Sequence, residues 1–165
     1  MNLSSPRGFI AALALLPLVL GSPFAIADEV DAEALAEARE LLKAGRIEMV
    51  QAELYLTDSE SEAFWPVYET YRQEVDAVMD KQAKIITIYV EAYWAGRLVD
   101  ELAEKILDVH FVIERDLLAI EKKYVPRFRK VIPTAKVTRF YQLENKLDAE
   151  IDVALAQLIP LYEAE

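Results

Sequence analysis

The chemistry open to this chain is limited first by its metal-binding and nucleophilic side chains. His110 is the only histidine, and cysteine is absent. Thiolate chemistry is therefore excluded, and a dedicated zinc or copper site has too few nitrogen and sulfur donors. A Ser-His-Asp triad would need a glycine-rich turn to supply an oxyanion hole, and the sequence has none. A di-iron bundle needs two Glu-x-x-His motifs, whereas the residue three before His110 is Leu107.

Haem binding is an alternative that these side chains leave open. A helical bundle can hold haem between one methionine and one histidine, and Met49, Met79 and His110 are available. Covalent c-type attachment is excluded because it requires cysteine. An absorbance spectrum of the purified protein would decide this alternative.

Carboxylates are the abundant polar groups, with 29 Asp and Glu against 18 Lys and Arg and a net charge of −11. The chain has neither EF-hand spacing nor a glycine-bearing acidic loop. A glycosidase pair would need a sugar-binding cleft, which solvated helix faces do not provide. We therefore expect no enzyme activity, no catalytic residues, no cofactor and no dedicated metal site, while weak surface binding of divalent cations stays open. The acidic charge also disfavours nucleic acid and anionic lipid as partners.

Aromatic side chains form a more informative pattern, in two groups on one predicted helix. The first group is Phe64, Trp65 and Tyr68, and the second is Tyr89, Tyr93 and Trp94. Core packing is the simpler interpretation for Phe64 and Tyr68, whereas Trp65 falls about 100° away from Phe64 around the helix. Because amphipathic rings suit the recognition of exposed apolar chain segments, both groups are candidate partner-binding residues.

An export signal precedes the helices that carry these residues. Residues 9–20 are apolar but too few to span a bilayer. Ala25-Ile26-Ala27 stands before the acidic Asp28, which is the small-x-small pattern that signal peptidase reads. We predict a signal peptide at residues 1–27, cleaved after Ala27, and a single helical domain at residues 28–165.

Composition and apolar periodicity predict an all-α fold, and local signals place its first two helices. The first helix runs from Asp31 to Leu54 with a break or kink at Ala44-Gly45. The second begins at Thr57, whose hydroxyl can form a capping box with Glu60 three residues on. It continues to Gly96, and Pro66 should bend it.

Two further helices follow. The third starts at Asp100 as its cap and ends before Pro133, with a kink caused by Pro126. Its apolar stripe is the most regular in the chain and comprises Leu102, Ile106, Val109, Ile113, Leu117, Ile120, Tyr124, Phe128 and Val131. Thr134 caps a fourth helix that Pro160 closes. We expect four long kinked helices in antiparallel hairpins, in an elongated or dimeric arrangement.

The start of the second helix resembles the Spy/CpxP-like periplasmic stress proteins, which carry an LTxxQ motif there. The matching residues are Leu56-Thr57-Asp58-Ser59-Glu60, with Glu60 in place of the glutamine, followed by Phe64-Trp65-Pro66 and Tyr68. A second motif usually recurs near the last helix, and Ile132-Pro133-Thr134-Ala135-Lys136 occupies that place. The resemblance implies helices that pair as an antiparallel homodimer, forming a thin cradle that holds unfolded clients. Metal sensing does not carry over, because its histidine and methionine donors are nearly absent here.

The residues and the resemblance together lead us to expect a periplasmic, ATP-independent chaperone-like or envelope-stress adaptor protein. It would bind unfolded or partner protein segments, and helix starts at Leu56, Thr57, Glu60, Pro133 and Thr134 would set its fold. One alternative is a dedicated regulatory partner of a membrane protein without holdase activity. A second alternative is a haem-binding or metal-binding bundle.

Overall fold

The computed structural model describes residues 32–162, with side-chain surroundings from residue 43 onward except at residues 154 and 158. The predicted signal peptide lies outside the described residues. Four α-helices and no strand occur within residues 32–162, which confirms the all-α class. They are α1 (Ala32–Glu53), α2 (Asp58–Trp94), α3 (Asp100–Phe128) and α4 (Thr134–Leu158). In the described part of the chain, none of these helices has the length and apolarity needed to cross a bilayer.

The chain divides into two compact units, the first ending at Glu53 and the second beginning at Leu54. The expectation of a single domain over residues 28–165 stays a prediction. In the first unit, α1 runs unbroken through Ala44 and Gly45, so a break there is wrong, and the alternative of a kink stays a prediction. A glycine inside a helix costs about 1 kcal/mol relative to alanine, which the good helix formers on either side can offset.

The start of α2 is as predicted. The Thr57 hydroxyl accepts a hydrogen bond from the backbone N–H of Glu60, and the Glu60 carboxylate accepts one from the backbone N–H of Thr57. These two bonds satisfy N–H groups that have no partner within the helix. Pro66 lies inside α2 without ending it.

The end of α2 depends on Gly96, which has a positive φ of 61°. The N–H of Gly96 donates to the carbonyl of Tyr93, and the N–H of Arg97 donates to that of Ala92. This pair of bonds is the Schellman motif, which needs a left-handed residue after the helix. The predicted stop at Gly96 is confirmed.

The predicted caps of α3 and α4 were wrong. Val99 and Pro133 hold the N-cap positions, neither makes a side-chain cap, and Asp100 and Thr134 are already inside their helices. Pro133 has a φ of −56° and an extended ψ of 145°, so its carbonyl can accept the first helical N–H groups, those of Lys136 and Val137. Thr134 therefore stands one residue too late to cap α4.

The aromatic core of the second unit joins α2, α3 and α4. Phe64, Phe128 and Phe140 come from one helix each and are fully buried. Their ring centroids lie 4.7 Å apart for Phe128 and Phe140, and 5.3 Å apart for Phe64 and Phe128. Tyr71 and Tyr124 extend this cluster from α2 to α3 with centroids 5.4 Å apart. Three helices of the second unit, α2, α3 and α4, therefore share one aromatic core.

Charged groups tie the same helices together beside the aromatic core. Lys123 and the Tyr124 hydroxyl of α3 donate to the Glu74 carboxylate of α2, and these hydrogen bonds lower the pKa of Glu74. The Arg72 guanidinium of α2 donates to the buried Glu144 carboxylate of α4 at 3.0 Å. The long helices thus gain polar contacts in addition to apolar ones.

Candidate functional site

Few residues are buried near the turn between α2 and α3. Among residues 79–94 of α2 only Ala92 is buried, and among residues 100–123 of α3 only Ile113 is. Several large apolar side chains are exposed here. This end of the second unit is therefore a candidate contact surface.

Trp94 is the most prominent side chain at this end, with 75% of its surface exposed. It is the last residue of α2, two positions after the buried Ala92. Two residues along a helix correspond to about 200° of rotation, so Trp94 faces away from the core. Its ring contacts the half-buried Tyr93 edge to face, with centroids 5.1 Å apart, and Tyr93 in turn lies 6.2 Å from Tyr89.

The segment after α4 reaches the same place. Ile159 is extended because Pro160 follows it, and the Tyr89 hydroxyl donates to the Pro160 carbonyl at 2.7 Å. The next two residues, Leu161 and Tyr162, are exposed. Burial raises the pKa of the Tyr89 phenol, so it stays protonated as a donor at neutral pH.

We use the name tip surface for the solvent-accessible apolar and aromatic side chains of the end of α2, the turn and the tail. Its members are Ile88, Tyr93, Trp94, Val99, Leu161 and Tyr162. The first turns of α3, directly after Val99, carry the exposed carboxylates of Asp100, Glu101 and Glu104. A surface of this composition can bind an apolar chain segment and favours basic residues next to that segment.

The structure separates the two predicted aromatic groups. Tyr89, Tyr93 and Trp94 lie at or beside the tip surface, whereas Phe64 and Tyr68 are buried in the aromatic core and are not exposed to a partner. Trp65, which lies between Phe64 and Tyr68 in the sequence, is half-buried. Its indole N–H donates to the Ser61 hydroxyl at 2.9 Å. Thirty residues of α2 separate Phe64 from Trp94, about 45 Å along the helix. The two groups cannot act as one site on a single copy.

Sequence reasoning missed four members of the tip surface, Ile88, Val99, Leu161 and Tyr162. Val99, Leu161 and Tyr162 carry a usable signal, because each is a large apolar residue close to a helix end marked by Gly96 or Pro160. Ile88 carries none, since nothing local says whether another helix will cover it.

The two motif segments, by contrast, meet in the structure at what we call the motif corner. The Lys136 ammonium donates to the Glu60 carboxylate at 2.5 Å and to the Tyr55 carbonyl at 2.6 Å. Tyr55 has a positive φ of 51°, and its ring lies under the Arg139 guanidinium at 4.9 Å. The hydrogen bond from Lys136, followed by that from the Thr57 N–H, lowers the pKa of Glu60. Leu56, in the same segment, is half-buried. The contacts of the motif corner join the start of α2 to the start of α4.

His110 is exposed beside Phe111, with ring centroids 5.4 Å apart, and not on the margin of the core. Within the described part of the chain, no three His, Asp or Glu side chains lie close enough together to hold a metal ion.

Comparisons with family models, curated proteins and solved structures found no match to this chain.

Proposed function

We propose that this chain is an exported, non-enzymatic binding protein that holds apolar segments of partner proteins on its tip surface. It would act as a periplasmic, ATP-independent chaperone-like or envelope-stress adaptor protein. The observation that carries the proposal is Trp94, three quarters exposed at the end of a 37-residue helix and supported by Tyr93.

The energetics favour binding at this side chain. Tryptophan and tyrosine dominate the energy of protein interfaces because they bury a large area at a small entropic cost. Covering the exposed part of Trp94 with an apolar partner would contribute on the order of 3 kcal/mol. The other members of the tip surface would add area around this anchor.

The charge around the tip surface suggests the chemistry of the partner. The net charge of the chain is −11, and the exposed carboxylates of Asp100, Glu101 and Glu104 follow Val99 in the first turns of α3. A segment with apolar residues flanked by lysine or arginine would be attracted, and one flanked by carboxylates would be repelled. Unfolded segments of basic proteins fit this description.

Two other parts of the proposal rest on the sequence. Export is supported by the apolar run at residues 9–20 and by Ala25-Ile26-Ala27. The resemblance to the Spy/CpxP-like proteins, with the homodimer it implies, is supported by the two motif segments that meet through Lys136 and Glu60.

An aggregation assay tests the binding function. Light scattering would follow a chemically unfolded, basic test client mixed with purified protein at equimolar ratio. We expect the wild-type chain to slow aggregation and Trp94→Ala to need about tenfold more protein for the same effect, since the anchor is lost. Tyr55→Ala is the matched control, because it removes an exposed aromatic ring that is not part of the tip surface.

The results distinguish a general holdase from a dedicated regulatory partner, and they test whether binding occurs on the tip surface. If the wild-type chain does not slow aggregation of any client, the holdase version is wrong. A single cross-linked membrane protein, captured through a photoreactive residue at position 94, would then favour the dedicated regulatory partner. If Trp94→Ala acts like the wild type, binding does not occur on the tip surface.

A further inference from the structure

The segment from the end of α3 to the start of α4 has a charge opposite in sign to that of the chain as a whole. Residues 122–143 contain seven basic and no acidic side chains, whereas the net charge of the chain is −11. Positive charge is therefore concentrated in one segment, and the structure shows which of these side chains have a role inside the protein.

Four of the seven basic side chains have partners within the protein. Two of them donate to carboxylates and two lie over aromatic rings: Lys123, Lys136, Arg127 and Arg139. The other three are exposed, and within the described residues none of them forms an ion pair: Lys122, Arg129 and Lys130. We call these three residues the basic end. Their charges face solvent and are available to an anion from outside the chain.

The backbone groups the basic end into one surface. Lys122 and Arg129 are seven residues apart on helical backbone, which keeps them within about 20° of each other around α3 and about 10 Å apart along it. Lys130 follows Arg129 directly in the turn. Tyr124, two residues after Lys122, is buried, so Lys122 lies on the side of α3 that faces away from the core.

The basic end and the tip surface lie at opposite ends of the second unit. Phe128, next to Arg129, contacts Phe64 of α2, with ring centroids 5.3 Å apart. Trp94 is about 45 Å further along α2. Charges more than about 10 Å apart are largely screened at 0.1 M ionic strength. The net negative charge disfavours anionic lipid for the chain as a whole, but the carboxylates near the tip surface do not cancel the local charge of the basic end.

The surroundings of the basic end favour a lipid surface over an acidic protein as its partner. Among residues 122–139 no large apolar side chain is exposed. Protein interfaces derive most of their binding energy from a few buried anchors, mainly aromatic side chains and arginine in well-packed pockets. Adsorption to an anionic bilayer needs no such anchor, because each basic side chain near the plane of the headgroups contributes separately.

We propose that the basic end adsorbs this chain to the surface of anionic phospholipid membranes, through contacts of Lys122, Arg129 and Lys130 with lipid phosphates and without insertion into the bilayer. The tip surface, at the other end of α2, stays accessible in this orientation. The inference goes beyond the proposed function and does not depend on the tip surface holding a partner.

Co-sedimentation with lipid vesicles tests the charge requirement. We expect the purified protein to bind vesicles of phosphatidylglycerol at about 0.1 M salt and vesicles of phosphatidylcholine at least about tenfold more weakly. Raising the salt concentration to about 1 M, where the screening length is about 3 Å, should release the protein.

Charge removal tests the location of the contact. The double variant Arg129→Gln with Lys130→Gln should lower the partition constant on phosphatidylglycerol about thirtyfold, or roughly fivefold for each charge. Lys81→Gln with Lys84→Gln is the matched control, because it removes two exposed charges from the middle of α2. Its partition constant should stay within about threefold of wild type. Circular dichroism would establish that each variant is folded.

Three results with vesicles would overturn the inference: no binding to phosphatidylglycerol, equal binding to phosphatidylcholine, or equal weakening by the two double variants. Soluble polyglutamate that binds as tightly as the vesicles would also overturn it and would point to an acidic protein as the partner.

Trp94→Ala separates this inference from the proposed function. It should bind phosphatidylglycerol vesicles like the wild type, because Trp94 is far from the basic end. A loss of binding would place the lipid contact on the tip surface and overturn the inference. The vesicle experiments contain no protein client, and the aggregation assay contains no lipid, so failure of one proposal leaves the other testable.

Discussion

Glu60 combines two stabilising roles in one side chain. It accepts the backbone N–H of Thr57 as part of the capping box and the ammonium of Lys136 as an ion pair. A glutamine at this position could keep the cap, but it would lose the charge-assisted bond to Lys136. The link between the two motif segments therefore depends on the carboxylate.

The charge on Glu60 should make stability depend on pH. The hydrogen bonds from Lys136 and from the Thr57 N–H lower the pKa of Glu60 in the folded protein. Its contribution is then present above the unfolded pKa, about 4.3, and is lost as the pH falls through the lower folded value. We expect Glu60→Gln to lower the Tm at pH 7, with the difference from wild type shrinking toward pH 3, as measured by circular dichroism.

Glu62→Gln is the control for this experiment, because Glu62 is an exposed carboxylate on the same turn. Its Tm should follow the wild type at each pH. A Glu60→Gln difference that stays constant between pH 7 and pH 3 would show that the ion pair with Lys136 contributes nothing.

At the scale of elements, the ends of the helices follow local chemistry where a residue has a strong conformational preference. Gly96 ends α2 because it adopts a positive φ, and Pro160 follows the end of α4 because it cannot continue a helix. The weaker preferences of Asp100 and Thr134 did not decide where α3 and α4 begin, since Val99 and Pro133 already stand at the caps.

Gly96→Ala should destabilise the turn between α2 and α3. The φ of Gly96 is 61°, and a Cβ built there meets no atom within 4 Å, so the cost comes from the backbone alone. We expect a loss of about 1–2 kcal/mol in the free energy of unfolding, measured in urea. Gly96→Asn should lose less, because asparagine tolerates the left-handed region. Equal losses for both variants would point to a cause other than φ.

Across the whole molecule, charge is distributed unevenly. Residues 122–143 contain seven basic and no acidic side chains, although the chain carries a net charge of −11. The first buried carboxylate after this segment, Glu144, contacts Arg72 of α2. Burial lowers the pKa of Arg72, but the nearby Glu144 and Asp76 carboxylates raise it more, so the guanidinium stays charged.

Arg72→Met should therefore destabilise the three-helix core strongly. Removing one partner of a buried ion pair leaves an uncompensated charge, and we expect a loss of about 3–5 kcal/mol in urea unfolding. Lys105→Met is the matched control, because Lys105 forms an exposed pair with Glu101 and its loss should cost about 0.5 kcal/mol or less. A small effect for Arg72→Met would mean that Glu144 is protonated or solvated when Arg72 is absent.

The sequence predicted the core of the second unit only in part. Phe64 and Tyr68 of α2, for which core packing is the simpler interpretation, are buried. On α3, Ile113, Tyr124 and Phe128 are buried, but Val109 of the same stripe is 37% exposed. A period shows which face of a helix is apolar, but it does not show how far along its length another helix covers that face.

The sequence by itself determined the all-α class, the capping box of Thr57 and Glu60, and the ends of α2 and α4, because these depend on neighbours three to five residues away. Only the tertiary structure decided that Phe64 is buried while Trp94 is exposed, that Lys136 meets Glu60, and that Leu107, Phe111 and Leu118 of α3 are exposed. These features depend on where helices distant in sequence lie against one another. No local pattern records these contacts, because the intrinsic helix propensity of a residue is the same whether or not another helix covers it.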